Sequence, residues 1–537
     1  MAYNIRIIES LCIRAIARHH IKAIPSVEGG NKTLYYFSGK IYKQGIEEIG
    51  RLIACEESHA YREYRKEKKK SALHTAIAFE IERPDDPKKA VGQEYIKRIL
   101  NGGVMPVLMN VGQQAAAVKA LLSLPELPAA AMGENTAGLL CLNDCILKIT
   151  SDSVEVLPHD PKPFFISYLD INYKMPLSQY SLNMEKYQGY MLDWADKNEQ
   201  VQKLIGQMIG AIIQQDSGSG YVFIIVNPQG GNGKSTFGNS IVAFVGLNNL
   251  STISLQEMAK DSHQAAALVG KYINFVDDMS GDFVGDISIL KSCVTGGFRN
   301  VNPKHVKPYS AQLTATNIIC CNKIPRIGDT TGGLNDRLCI VPFLARFRNT
   351  ADDIKDRDMN IFFAQPETRR AMLEIAINGL QETMKNGYTI PDIVRIATQE
   401  YLTENILEID SVLAFIEASE EYSDVGMAMW AKMDVAHTYT TYNRWCESNG
   451  RRAKASNVFT KDFLAHRKQY YEVKTYKRNT NVEQWCDVSR NYIKKSIMKR
   501  GKEFIAHTTV PLPNDTDTPF DPPQPPQQLK IAESIAI

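Results

Sequence analysis

A β-forming run, Ile224-Ile225-Val226, passes without a break into Asn227-Pro228-Gln229-Gly230-Gly231-Asn232-Gly233-Lys234-Ser235-Thr236, and this join restricts the chain more than any other feature. The apolar residues that follow, Phe237, Ile241, Val242, Phe244 and Val245, repeat at helical spacing. A strand, a glycine loop and a helix in that order hold a nucleoside triphosphate. Glycines let successive backbone N–H groups turn inward around the β-phosphate, and the helix N-terminus adds partial positive charge. Lys234 then reaches the β/γ-phosphates and the Ser235 hydroxyl is placed to ligand Mg²⁺. Pro228 occupies the first glycine position of the usual G-x-x-x-x-G-K-[ST] spacing, while Gly230 and Gly231 keep the loop pliant.

A phosphate loop does not by itself separate a kinase from a motor, so the next elements matter. Tyr272-Ile273-Asn274-Phe275-Val276 reads as an apolar strand ending in Asp277-Asp278. Carboxylates at the C-terminal end of a neighbouring strand fall beside the loop, where one holds the Mg²⁺ water shell and the other orients or deprotonates the attacking water. A third strand, Asn317-Ile318-Ile319-Cys320-Cys321, ends in Asn322, whose amide is suited to hydrogen-bond the γ-phosphate or the lytic water. Asn335-Asp336-Arg337-Leu338 precedes a further strand, Cys339–Phe343. Arg337 there suits a finger inserted into a neighbouring subunit's site, a role that requires a ring. Between the second and third strands, Phe298 to Tyr309 reads as a hairpin whose tip carries Lys304, His305 and Lys307 between Pro303 and Pro308. Such a tip suits the phosphates of a single strand passing close by.

The 537 residues imply about three domains, with 44% hydrophobic and 23% charged content, ordinary for a globular protein. Residues 1–105 read as an α+β region and include a charge run, Arg62 to Lys70, read first as a solvated helix face and second as a nucleic-acid contact. Residues 106–215 read as a pre-motor region with a hairpin over Leu139–Ile149 and Val154–Leu157 and a helical oligomerisation stretch from Tyr187 to Gln215. Residues 216–348 form the parallel α/β core with flanking helices. A helical connector over 349–424 precedes a basic module at 425–505, read as winged-helix-like with a β-hairpin near Tyr470–Asn481. Residues 441–505 carry 16 Lys and Arg against 6 Asp and Glu, whereas the whole chain nets only +2. That imbalance suggests a polyanion partner, the alternative being a solvated basic surface. Pro511 to Gln527 contains seven prolines and leads to the apolar peptide Leu529–Ile537, a docking motif or an inert terminus. Ten cysteines without C-x-x-C pairs read as reduced, mostly buried thiols of a cytoplasmic or host-cell intracellular protein. No segment reads as a signal peptide or a membrane span.

Taken together, these residues resemble the superfamily 3 helicases, AAA+ motors of small viruses, phages and plasmids, and within them the poxvirus-type and phage or plasmid primase–helicases. Four features carry the resemblance in order: Gly230 through Thr236, Asp277-Asp278, Thr295-Gly296-Gly297 to Lys304-His305, and Asn322 followed by Arg337. Asn143–Ile146, Pro158–Pro161 and the lead-in through Gly206 to Gly210 look like that family's pre-motor segment, and Tyr442–Cys446 with Asn449-Gly450 like its C-terminal winged helix. The resemblance implies an ATP-dependent ring, hexameric in expectation, that engages single-stranded or forked DNA and unwinds DNA during replication of a virus, phage or plasmid. It implies that Gly230, Gly231, Asn232, Gly233, Lys234, Ser235 and Thr236 hold ATP, that Ser235 and Asp277 hold Mg²⁺, and that Asp278 activates water. Asn322 would be the sensor and Arg337 the trans finger. Lys291 would contact nucleotide at the subunit boundary, and Lys304 and His305, with Lys307 beside them, would grip the strand. Two alternatives stay open: a nucleotide-switched initiation factor without processive unwinding, and an RNA rather than a DNA track. The first 105 residues lack recognisable primase carboxylates.

Overall fold

A computed structural model describes residues 5–27, 32–66, 111–215, 217–227, 231–260, 262–285, 287–303, 308–328, 335–347, 356–421, 435–467, 471–476 and 501–506. Outside them lie Pro228, Gly230, Lys304, His305, Lys307, the last part of the Arg62–Lys70 run and the proline-rich tail. The chain divides into two compact units, 1–398 and 399–537.

In the first unit the helices Ile5–His19, Ile46–Lys66 and Val111–Ser123 cover an antiparallel sheet of β1 (Lys22–Pro25), β2 (Lys32–Phe37) and β3 (Tyr42–Gln44). Leu11, Ala15, Ile49, Ile53, Val118 and Leu121 form their shared core. A second antiparallel sheet follows, of β4 (Leu139–Cys141), β5 (Ile146–Ile149) and β6 (Val154–Leu157). It contains the expected hairpin, with β4 as a third strand.

The helical stretch expected from Tyr187 to Gln215 is two helices, Leu177–Trp194 and Glu199–Ile213. Asp196 and Lys197 turn into the left-handed region (φ 50° and 63°) and break the first helix. The Asn198 carboxamide then accepts from the amides of Gln200 and Val201, capping the second. Helical periodicity continues through such a break, which is why the sequence reads as one element.

The main sheet is wholly parallel, in the order β13 (Leu338–Pro342), β7 (Val222–Val226), β12 (Thr316–Cys321), β9 (Ile273–Val276), β8 (Leu250–Ser251). Its strands read as continuous apolar runs because helices cover both faces. Phe223, Ile225, Ile318, Cys320, Cys339, Val341, Ile273 and Phe275 share one face, packed into a core with the helices Leu177–Trp194, Glu199–Ile213, Lys234–Val245 and Pro366–Asn386. The other face carries Asn274 and Asn317, both fully buried. Asn274 Nδ2 donates to Asn317 Oδ1 (3.1 Å) and to the Ile253 carbonyl (2.9 Å), and its Oδ1 accepts from Ile253 N (2.8 Å), so the buried amide is satisfied.

Helix Pro366–Asn386 crosses Glu199–Ile213 so closely that their backbones touch. A Cβ on Gly379 would lie 2.2 Å from the Gly206 carbonyl oxygen, and one on Gly210 would lie 2.5 Å from Leu380 N. Gly210 in the lead-in is therefore a packing glycine, whereas a Cβ on Gly206 would meet nothing closer than Met191 Cε, at an ordinary 3.6 Å.

Between β9 and β12, helix Ser288–Thr295 leads into the antiparallel hairpin β10 (Phe298–Val301) and β11 (Tyr309–Gln312), as expected. Gly296 closes the helix in the left-handed region (φ 64°), its Cβ position 2.4 Å from Gly218 N.

In the second unit the helices Ser411–Glu421, Val435–Ser448 and Ser456–Arg467 bury Phe415, Tyr442, Trp445, Phe459 and Phe463. β14 (Tyr471–Tyr476) pairs antiparallel with β15 (Gly501–Ala506). Of the hairpin expected near Tyr470–Asn481, the described strand β14 pairs with a strand about 25 residues further on, and residues 477–481 lie outside the described residues. Local turn signals do not reveal so distant a partner. Among the described residues no helix is long and apolar enough to cross a membrane.

Candidate functional site

Three strand ends meet at one edge of the parallel sheet. β7 ends at the glycine loop, β9 at Asp277-Asp278 and β12 at Asn322. Sequence reasoning placed the two carboxylates on the strand next to the loop. The order is different: β12 stands between β7 and β9, so Asn322 separates the loop from the carboxylates.

That insertion has a chemical result. Lys234, at the first turn of helix Lys234–Val245 and only 8% exposed, donates from Nζ to the Asn227 carbonyl (3.0 Å) and to Asn322 Oδ1 (3.0 Å). The other end of the same amide, Asn322 Nδ2, donates to Asp278 Oδ1 (3.1 Å). One carboxamide thus joins an ammonium to a carboxylate, its dipole oriented by both. Lys234's two acceptors are neutral and its third proton remains for an anion. Asp277, Asp278, Asn322 and Ser235 are exposed at this edge, Thr236 is half-buried and Asn232 is buried.

The described part of the loop is held from both sides. Gly231 and Gly233 adopt φ 84° and 81°, conformations open to glycine at little cost. A Cβ on Gly233 would come within 2.7 Å of Trp194 Cδ1 and 3.0 Å of Phe347 Cε2. Phe347 N donates to the Gly231 carbonyl (2.8 Å), and the Asn227 side chain donates to the Phe343 carbonyl. Trp194 also packs edge-on to Phe237 at 5.4 Å. Sequence reasoning missed Trp194, Phe347 and Asn227 as loop supports. Only the loop's own glycines signalled that something approaches closely.

Asp278 itself sits in the left-handed region (φ 59°), a strained conformation for a non-glycine residue, and the next amide, Met279 N, returns to the Cys320 carbonyl (2.9 Å). The thiols beneath the site are inert filling: burial pushes Cys321 up to about 12 and Cys320 further still, with Asp277 adding to the rise at Cys320.

The remaining candidates lie elsewhere. Arg337, half-buried, immediately precedes β13, whose Leu338 pairs with Val222 at the start of β7. It therefore stands at the opposite edge of the sheet, about 16 Å of strand length from its own loop. Lys291 is half-buried on helix Ser288–Thr295, which leads away from the Asp277-Asp278 end toward the hairpin. The hairpin precedes β12 and so also belongs to the edge opposite the loop. The residues flanking its tip are tied down. Asn302 O contacts His263 Nδ1 (2.7 Å), and Pro308 O accepts from Val27 N (2.9 Å) and Ser26 Oγ (3.0 Å).

Comparison with known proteins places residues 225–337 in the match of a model described as a family of unknown function (DUF5906). Among solved structures, the apo structure of the NrS-1 C-terminal region (305–718) is 12% identical, with a TM-score of 0.39 over 92% of this chain and 98% of that one. An A-form apo structure of the same region is 11% identical, with a TM-score of 0.40 over the same shares. What the chain itself presents is an α/β core in which one sheet edge gathers a glycine loop, a buried lysine, an amide and two carboxylates.

Proposed function

We propose that this chain is a superfamily 3-type AAA+ motor: an ATPase that assembles into a ring, most simply a hexamer, and unwinds DNA during replication of a virus, phage or plasmid. The single observation that carries this reading is the Lys234–Asn322–Asp278 chain, in which residues from three strand ends share one polar connection. The donor set fits ATP·Mg²⁺, since a nearly buried ammonium with neutral acceptors stands directly after a loop whose Gly231 and Gly233 adopt the left-handed backbone that turns amides inward. When bound, ATP·Mg²⁺ supplies the phosphoryl group whose transfer to water drives the motor. Loop amides from Gly230 to Thr236 and Lys234 bind the phosphates, and Ser235 and Asp277 hold the metal. Asp278 takes the proton of the attacking water. Asn322, already joined to both Lys234 and Asp278, senses whether an anion competes for the ammonium.

Arg337 cannot serve its own loop across the sheet. Its position suits the site of a neighbouring copy, with Lys291 as a second basic group at that boundary. The hairpin would carry Lys304, His305 and Lys307 to the strand at the edge opposite the nucleotide, so hydrolysis at one edge moves a DNA contact at the other.

The test uses the full chain with forked DNA and ATP. Lys234→Ala is expected to lose both hydrolysis and unwinding, and Lys304→Ala to lose unwinding. Unwinding by Lys304→Ala at the wild-type rate would remove the hairpin's role. Full-rate hydrolysis by a lone protomer in the presence of a strand would remove the ring. Tight ATP binding without repeated turnover would instead favour a nucleotide-switched initiation factor.

A further inference from the structure

We infer that the outward face of the β10–β11 hairpin is a base-contacting surface for single-stranded nucleic acid, with Phe298 as its stacking platform. The inference rests on the motor reading and deepens it, since that reading assigns only the charged tip.

In an antiparallel pair, directly opposed residues share a face and alternate residues along each strand share it too. Phe298 opposes Gln312 and Asn300 opposes Ser310, so these four form one face. Val301, Ala311 and Tyr309 on the other face are buried and fix the hairpin to the body of the unit. Phe298 is 66% exposed, an aromatic ring on a rigid strand pointing to solvent. A single exposed apolar residue needs no explanation. The company it keeps does: beside it on the same hairpin face stand an exposed amide, Asn300, and an exposed hydroxyl, Ser310, while Gln312 donates to the Gly296 carbonyl (2.9 Å).

A protein partner would need contiguous apolar area, which one ring among amides does not provide. A nucleobase needs a π-surface and edge-directed donors and acceptors, which Phe298, Asn300 and Ser310 provide, and among the hairpin's described residues no carboxylate stands to repel phosphates. Stacking also differs from charge contact in a measurable way. Removing a phosphate contact lowers the salt dependence of binding, whereas removing a stacking ring lowers affinity and leaves that dependence unchanged.

The experiment measures binding of a fluorescent oligothymidylate by anisotropy, over a range of salt, for the full-length wild type, Phe298→Ala and Phe298→Tyr. Phe298→Ala is expected to weaken binding about 5- to 150-fold at an unchanged slope of log affinity against log salt. Phe298→Tyr should restore it. Wild-type binding matched within twofold by Phe298→Ala overturns this inference alone. A change in sedimentation of Phe298→Ala without loss of strand affinity also overturns it, assigning the face to a second copy. A wild type that binds no strand overturns the motor reading and this inference together.

Discussion

Two helix glycines should respond to alanine with opposite signs. At Gly379 a Cβ would lie 2.2 Å from Gly206 O, 2.6 Å from Gly206 C and 3.0 Å from Gln207 N, all backbone atoms that no rotamer change can move. Relief requires the two helices to part by about 1 Å, a gap that forfeits a quarter to a half of each affected contact along the crossing. Overpacking of this kind costs up to about 3 kcal/mol. Alanine's better helix propensity returns about 1 kcal/mol. A net loss of about 2 kcal/mol follows. Gly189, exposed in helix Leu177–Trp194, has nothing within 4 Å of its Cβ position, so Gly189→Ala should gain about 0.5–1 kcal/mol through propensity alone. Equilibrium urea unfolding, followed by far-UV circular dichroism, should show the midpoint falling for Gly379→Ala and rising for Gly189→Ala at constant m. Amide exchange should place the loss of protection in Glu199–Ile213. A Gly379→Ala protein that unfolds at or above the wild-type midpoint would refute the backbone-contact account of this crossing.

Gly233→Ala combines a left-handed backbone, worth about 1–2 kcal/mol, with a Cβ driven into Trp194 and Phe347. It should weaken binding of a non-hydrolysable ATP analogue at least about tenfold by calorimetry, and wild-type affinity would refute the packing account. In the second unit, Asp410 is partly buried, which opposes ionisation, yet hydrogen bonds from Lys454 (2.9 Å) and His466 (2.8 Å) hold its carboxyl below the usual range. A lowered native value gives stability that is complete above about pH 4 and is lost as pH falls through the native value. Exchange protection of helix Ser411–Glu421 should therefore decline in acid for the wild type. Asp410→Asn should flatten that decline, and an equal acid response from both proteins would refute the assignment.

The glycine loop, the apolar strands ending in Asp277-Asp278 and Asn322, and the hairpin before β12 were all legible in the sequence. Each is a local pattern: a period of two or a fully apolar run, a turn residue, a motif contiguous along the chain. The break at Asp196–Asn198 was hidden because periodicity is blind to a short capped interruption, and the partner of β14 was hidden because 24 residues separate the two strands.

What only the tertiary structure decided is lateral order. Nothing in the spacing of three strands says which stands in the middle, because neighbours in a parallel sheet are chosen by how crossover helices pack. That choice puts Asn322 between Lys234 and Asp278, while the parallel pairing of β13 with β7 sets Arg337 at the end of the sheet where the strands begin. It also brings Trp194 and Phe347, distant in sequence, against Gly233. The chain alone determined which chemical groups stand at strand ends; packing determined which of them touch.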